Sequence, residues 1–295
     1  MTMPQINTAT LPLWHSLLFI PAHVQRFIES APKRGADAII LDLEDSVPNE
    51  IKPLAREHLK EHVNFLNEQS QDILIRINRD LNNAIADLNT AVIQSVKAII
   101  IPKVIGAEHI RLLEEVISEL EFNRHLTPNS IQLIAMIETL EGLHNINAIA
   151  QSSSRLIGLA LGTEDLSLDG GFTATPENFH YPAQQLVYAA KLANIHAYGF
   201  PGSIADYSNI DAFTHYQKTA KSMGFNGAFC IHPSQVEPIN NTYAISSDEL
   251  EQANKIVAAY EEAVKNKRGA VEVDGKMIDA PVVERAMKLI SQSNQ

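Results

Sequence analysis

The sequence predicts a (β/α)8 barrel followed by a C-terminal helical and extended arm, and three observations predict it. Eight short apolar, β-branched runs recur along the chain, stretches with helical spacing separate them, and together they fill the roughly 250 residues typical of that fold. No glycine-rich turn follows the first run, which is what an open doubly wound sheet binding a dinucleotide would show.

The predicted strands are LLFIP (17 to 21), AIILDLE (38 to 44), ILIRIN (73 to 78), AIIIPKV (98 to 104), IQLIAMIE (131 to 138), LIGLALG (156 to 162), HAYGF (196 to 200) and GAFCIHP (227 to 233). Helical spacing is clear from Ala107 to Leu120 and from Ala183 to Ala193. After the eighth run an amphipathic helix is predicted from Ser247 to Lys267. Asp274-Gly275 is then a tight turn between two short extended pieces, and a last helix starts near Pro281. The predicted division is a barrel domain over residues 1 to 240 and an arm over 241 to 295, surplus to a closed barrel and so a cap or an oligomerisation device.

Composition narrows the function. A net charge of -12 with no clustered Lys and Arg argues against nucleic acid as a partner. No uninterrupted run of about 18 apolar residues is present, which argues against a spanning helix. The N-terminal MTMPQINTATLPLW lacks the basic and apolar segments of a signal peptide. A single cysteine, Cys230, excludes an internal disulfide and a Cys-rich zinc site, and points to a reducing cytoplasm.

In a barrel of this kind the chemistry sits where strands end, at the carboxyl face. That rule selects Glu44 and Asp45 after the second strand, Arg76 on the third, Pro102-Lys103 after the fourth, Glu138 after the fifth, Glu164-Asp165 after the sixth and His232-Pro233 after the eighth. Carboxylates crowded at a low-dielectric mouth repel one another, so a cation is expected among them. With hard oxygen donors and no Cys or His cluster, Mg2+ is the expected ion and Mn2+ a possible substitute, with Glu138 and Asp165 the best-placed ligand pair. The alternative for these acids is a solvated loop or a helix cap.

Arg76 lies inside an alternating strand, where a charge must be paired; an ion pair with Glu44 or Asp45 and bidentate binding of a substrate carboxylate both satisfy it. Lys103 is open to solvent exposure or to Schiff-base chemistry. His232 is expected to be a structural hydrogen-bonding residue and Cys230 an inert core residue.

The ordered motifs SLLFIPA, GADAIILDLEDSV, ILIRIN, IIIPKV, IETLEG, LGTEDLS, MGFNGAFCIHPSQV and GKMIDAP resemble the citrate lyase beta-subunit-like family of the HpcH/HpaI aldolase and citrate lyase superfamily. The resemblance covers nearly the whole chain. It implies a barrel that makes or breaks carbon-carbon bonds beside a CoA or acyl-carrier thioester with Mg2+, acting on a small molecule and assembled as a homotrimer or hexamer. By position it implies Glu138 and Asp165 as metal ligands, Arg76 as the grip on the keto-acid end, and Glu44 and Asp45 as groups that order metal-bound water and the arginine. It implies Asp279 of MIDAP as a group closing over a neighbouring subunit's site and able to move a proton. His15, Pro102 and Lys103 join Arg76 as expected substrate contacts.

The chain departs from the family pattern at three places. His15-Ser16 replaces an Arg-Ser pair, Tyr181-Pro182-Ala183 stands for Tyr-Ala-Arg, and Gly199 followed by Phe200-Pro201-Gly202-Ser203 occupies an acidic position. These leave the metal chemistry intact and leave open the distal part of the substrate and the carrier. The expected reaction is cleavage of a malyl-CoA or citramalyl-CoA type ester to acetyl-CoA and a 2-oxo acid. A citryl-carrier lyase chain, an aldolase on free hydroxy-keto acids and a non-catalytic keto-acid-binding barrel are the alternatives.

Overall fold

The computed structural model describes residues 11 to 293. Residues 1 to 10, which hold most of the stretch read above as lacking a signal peptide, lie outside them. One compact unit ends at Tyr243 and a second begins at Ala244.

The first unit holds eight strands, β1 (Ser16–Pro21), β2 (Ala38–Asp42), β3 (Asp72–Arg76), β4 (Val96–Ile101), β5 (Gln132–Ile137), β6 (Leu156–Leu161), β7 (His196–Tyr198) and β8 (Ala228–Cys230). All neighbours pair in parallel, in the order β7-β6-β5-β4-β3-β2-β1-β8. The ring closes between β7 and β8 through the Tyr198–Gly227 bridge and two amide bonds, Gly199 N–H to Gly227 O at 2.9 Å and Asn226 N–H to Ala197 O at 2.8 Å. The predicted barrel is therefore the observed one, each strand within a few residues of its expected bounds.

Crossovers include α1 (Gln25–Ser30), α2 (Lys52–Glu68), α3 (Leu81–Ala91), α4 (Ala107–Asn123), α5 (Leu140–His144) and α6 (Ile146–Ala150). They continue with α7 (Thr163–Gly170), α8 (Pro176–Leu192), α9 (Ile210–Met223) and α10 (Val236–Tyr243). Side-chain caps start several of them: Asp80 accepts from Asn83 N–H, Thr139 from Gly142 N–H and Asn209 from Ala212 N–H. The helix expected from Ala183 begins a full two turns earlier and carries Pro182 within it. Pro182 is the seventh residue of that helix, past its first turn, so its missing N–H removes one i→i−4 bond there.

Strand alternation divides the apolar residues into two cores. Ile39, Leu41, Ile73, Ile75, Ile99 and Ile101 pack outward with the helices. Ala38, Ile40, Leu74, Ile100, Ile134 and Met136 form the inner core with Leu17, Tyr198 and Phe229. Two residues further along the inward sets come Asp42, Arg76 and Glu138, so the same period-two rule that fills the barrel delivers these charges to its carboxyl mouth.

The second unit contains α11 (Ser247–Lys265), a hairpin of β9 (Val271–Val273) and β10 (Lys276–Ile278), and α12 (Ala280–Ser293). Ser246 and Glu249 form a capping box at the start of α11. Asp274 and Gly275, at φ of +50° and +75°, make the predicted turn, in which Asp274 also accepts from Lys255 Nζ at 2.6 Å. Val273, Ile278 and Val283 form this unit's own small core. Among the described residues no helix is long and apolar enough to cross a membrane.

Candidate functional site

A cavity of about 270 Å³ opens at the carboxyl ends of the strands. Asp42, Asp45, Arg76, Glu138, Glu164 and Asp165 line its charged side, and Phe19, Leu161, Phe200, Ile204, Phe229 and Ile231 its apolar side.

Arg76 is held from three directions. Asp42 accepts from its Nε at 2.7 Å and from Nη2 at 2.8 Å, a fork matched to both carboxylate oxygens. Glu44 lies 3.1 Å from Nη1, and the Phe19 ring lies 4.6 Å from the guanidinium carbon. Asp45 is 3.8 Å away and half exposed. Asp42 also accepts from the amides of Glu44 and Ser46 at 3.0 Å each, so it shapes the turn that follows β2. The partner expected for Arg76 was Glu44 or Asp45, and the structure corrects this to Asp42 first. The cause is register: Asp42 and Arg76 are direct neighbours across the β2–β3 ladder. Burial pushes the Asp42 carboxyl up, but the Arg76 charge and hydrogen bonds outweigh it and hold the group below its ordinary range.

Lys103 departs most from expectation. Its Nζ lies 3.0 Å from Glu44 Oε1, 3.2 Å from Asp45 Oδ2 and 3.6 Å from Asp165 Oδ2, with only a quarter of the side chain exposed. The backbone there has φ of +48°, a left-handed conformation that costs a non-glycine residue on the order of 1–3 kcal/mol. In that conformation the Lys103 amide donates to Glu138 Oε2 at 2.8 Å. Burial lowers the ammonium's proton affinity, but Glu44, Asp45 and Glu138 overcome it and keep the group charged. Pro102, the residue before it, is buried.

Glu138 is 2% exposed and its carboxyl is pushed up to about 7, first by burial and then by the charge of Glu44. Glu44 is pushed up to about 6, again by burial first, against the pull of Arg76. A Cβ on Gly162 would drive into the Glu138 side chain, so β6 needs a glycine at its end to give this carboxylate its place. Asp165 and Glu164 stand in the first turn of α7, and Ser203 Oγ donates to Glu164 at 2.6 Å.

The structure thus brings together Glu44, Asp45, Arg76, Lys103, Glu138 and Asp165. It does not bring His15 to them. His15 precedes β1 at the opposite, amino end of the barrel, with Nδ1 2.7 Å from the Asn226 carbonyl oxygen and its ring stacked on Tyr243 at 5.1 Å. The expectation that His15 contacts substrate is corrected accordingly: a residue before a strand and a residue after it lie at opposite ends. Asp279 belongs to the second unit, where it directly precedes α12 and accepts from Val282 N–H at 3.4 Å. His232 caps a short 3-10 turn through Ser234 N–H and stacks on Tyr207, and Cys230 is buried, as a structural histidine and an inert thiol should be. Asp42 and Gly162 were missed by sequence reasoning, although Asp42 shares the face of Glu44 by alternation.

Among the described residues no group of three or more His, Cys, Asp and Glu side chains forms a ready-made metal cage. The donor set nevertheless suits Mg2+, which keeps most of its waters and needs one or two protein carboxylates. Glu138 and Asp165 are hard oxygen donors, and the repulsion that raises the Glu138 carboxyl comes from neighbouring acids, Glu44 and Asp165 among them.

Residues 15–233 match the family described as HpcH/HpaI aldolase/citrate lyase. The chain is 30% identical over 289 residues to citrate lyase subunit beta of Haemophilus influenzae, with 96% of this chain and 98% of that one covered. It is 33% identical over 270 residues to the (3S)-malyl-CoA thioesterase of Cereibacter sphaeroides, covering 90% of each. Among solved structures, protein CitE from Mycobacterium tuberculosis in complex with magnesium, acetoacetate and coenzyme A matches with a TM-score of 0.76, at 24% identity over 96% of this chain and 99% of that one. That last likeness is one of fold.

Proposed function

This chain belongs to the HpcH/HpaI aldolase/citrate lyase family, and from that premise we propose that it is a Mg2+-dependent carbon-carbon lyase cleaving a 3-hydroxyacyl-CoA of the malyl or citramalyl type. The products would be acetyl-CoA and a 2-oxo acid. The observation that carries the reading is one cavity in which a buried, preformed guanidinium faces buried carboxylates and stands beside an apolar wall.

Arg76 is assigned the substrate carboxylate. Nε and one Nη2 proton are spent on Asp42, which leaves the outer edge of the fork with unspent donors for two oxygens. Because Asp42 fixes the fork in advance, little ordering entropy is lost on binding. Glu138 and Asp165 would hold the metal ion, which when bound supplies Lewis acidity toward the hydroxyl and carboxylate oxygens of the substrate. Cleavage breaks the bond between C2 and C3 as the hydroxyl loses its proton, and the electron pair moves into the thioester enolate. Protonation of that enolate completes acetyl-CoA. Glu44, poised near neutrality at about 6, is suited to exchange a proton at this mouth, and Asp279 of a neighbouring subunit is the proposed donor to the enolate.

A second reading has a specific support, the (3S)-malyl-CoA thioesterase relative. Hydrolysis and carbon-carbon cleavage differ in their products, so one panel separates them. Citramalyl-CoA, malyl-CoA, citryl-carrier substrates and free hydroxy acids would be incubated with Mg2+ or with EDTA, scoring free thiol and 2-oxo acid. Oxo acid without free thiol, abolished by EDTA, is the expected result; free thiol without oxo acid would establish the thioesterase. No turnover of any thioester would sink both.

A further inference from the structure

We propose that Lys103 is the site's own counter-cation: its ammonium group holds the charge position that a divalent ion takes beside Glu44, Asp45 and Asp165, and binding of that ion expels it. This inference rests on the reading that the mouth binds Mg2+.

Four observations carry it. The ammonium is the point where acids from different strands meet, within 3.0 Å of Glu44, 3.2 Å of Asp45 and 3.6 Å of Asp165. Arg76 fills that role less directly: two of its donors are committed to Asp42, and the ion pairs it makes with the other acids reach Glu44 at 3.1 Å and Asp45 at 3.8 Å, whereas the Lys103 ammonium lies closer to both Glu44 and Asp45 and also pairs with Asp165. Lys103 also touches the other proposed ligand by a separate route, its amide donating to Glu138 at 2.8 Å, so one residue addresses both carboxylates. The backbone there is left-handed at φ +48°, a conformation that costs a non-glycine residue energy and in which its amide meets Glu138.

The two attachments have different freedom. The amide belongs to the backbone and stays on Glu138, whereas the ammonium ends a flexible four-carbon stem and can withdraw without moving the turn. A dication arriving at Asp165 would meet a like charge a few ångströms away and would therefore favour the withdrawn position. Lys103 thus stabilises the metal-free barrel mouth and weakens metal binding at the same time. A purely structural lysine would do only the first.

The test uses full-length wild type, Lys103→Met and Lys103→Arg with MgCl2 as the only ligand, followed by calorimetric titration and by thermal unfolding in EDTA and in saturating Mg2+. Lys103→Met should lose Tm in EDTA, regain most of it in Mg2+, and bind Mg2+ on the order of tenfold more tightly than wild type. Lys103→Arg, which keeps the charge, should stay within about twofold of wild type in affinity. Binding by Lys103→Met where wild type shows none would support the inference in its strongest form. An equal Tm loss with and without Mg2+, a failure to fold in either, or an unchanged or weaker affinity would overturn it while leaving wild-type metal binding as evidence for the proposed function. Absence of Mg2+ binding in all three proteins would overturn both.

Discussion

The Asp42 carboxylate and the Arg76 guanidinium are adjacent inward residues of neighbouring strands, joined by two parallel hydrogen bonds of 2.7 and 2.8 Å. Both are buried, so neither tolerates loss of the other. Asp42→Ala should cost about 3–5 kcal/mol of stability, the penalty for stranding a buried charge, measured by urea unfolding. Arg76→Lys should fold but lose the fork, and KM for the carboxylate substrate should rise by at least about tenfold. A fully stable Asp42→Ala protein would mean that water or Glu44 replaces the pair.

Gly162 marks where a backbone makes room for a side chain. Gly162→Ala places a methyl group inside the Glu138 side chain and should abolish turnover and weaken Mg2+ binding with modest loss of stability. Gly269→Ala, where a Cβ meets nothing, is the control and should fall within about 0.5 kcal/mol of wild type. Wild-type metal affinity in Gly162→Ala would remove Glu138 from the ligand set.

The Glu138 carboxyl gives the metal-free protein a characteristic response to pH. Its native value of about 7 lies above the ordinary 4.5, because burial and Glu44 disfavour the charged form. Between those values the native state holds a proton that the unfolded state has released, so stability falls as pH rises through the window. The full loss, on the order of 3 kcal/mol, is present above pH 7 and absent below about 4.5. Glu138→Gln should flatten most of this slope in denaturant titrations run with EDTA, leaving the smaller part due to Glu44. An unchanged slope would show that Glu138 titrates as an ordinary carboxylate.

Asp279 is proposed to move a proton, yet it also begins α12, and the two roles separate cleanly. Asparagine caps a helix about as well as aspartate. Asp279→Asn should therefore keep its unfolding midpoint and lose turnover by tenfold or more (about 1.4 kcal/mol). Undiminished turnover would leave Asp279 a helix cap alone.

Much of this architecture was legible in the sequence, and the exceptions share a physical cause. Apolar runs, helical spacing and the Asp274-Gly275 turn are local signals, and the structure contains what they predict. The carboxyl-face rule likewise put Glu44, Arg76 and Glu138 at one mouth. What escaped was pairing across strands. Asp42 was legible as inward-facing but not as opposite Arg76, because register is set by the whole sheet and a one-residue slip reverses every face. Lys103 was read at the same rim, but its pairing with Glu44, Asp45 and Asp165 escaped, since nothing in Pro102-Lys103 announces a left-handed residue that turns a lysine toward those acids. His15 failed by direction: it was read with the rim residues although it enters β1 rather than leaving it.

The ring of strands is stitched unevenly. β1 through β6 run five or six residues each, whereas β7 and β8 run three and meet through a single bridge and two amide bonds. The backbone at that joint is built from Gly199, Asn226 and Gly227, and Gly227 passes so close to the His15 backbone that no larger residue fits. Under native conditions the joint is where the cylinder would first part like a cuff at its fastening, so the amides of Gly199 and Asn226 should exchange with solvent deuterium well before those of β2 to β5. The cavity's apolar wall draws Phe200 and Phe229 from either side of that fastening. A breathing seam and a pliable half of the substrate pocket would then be one and the same property of this fold.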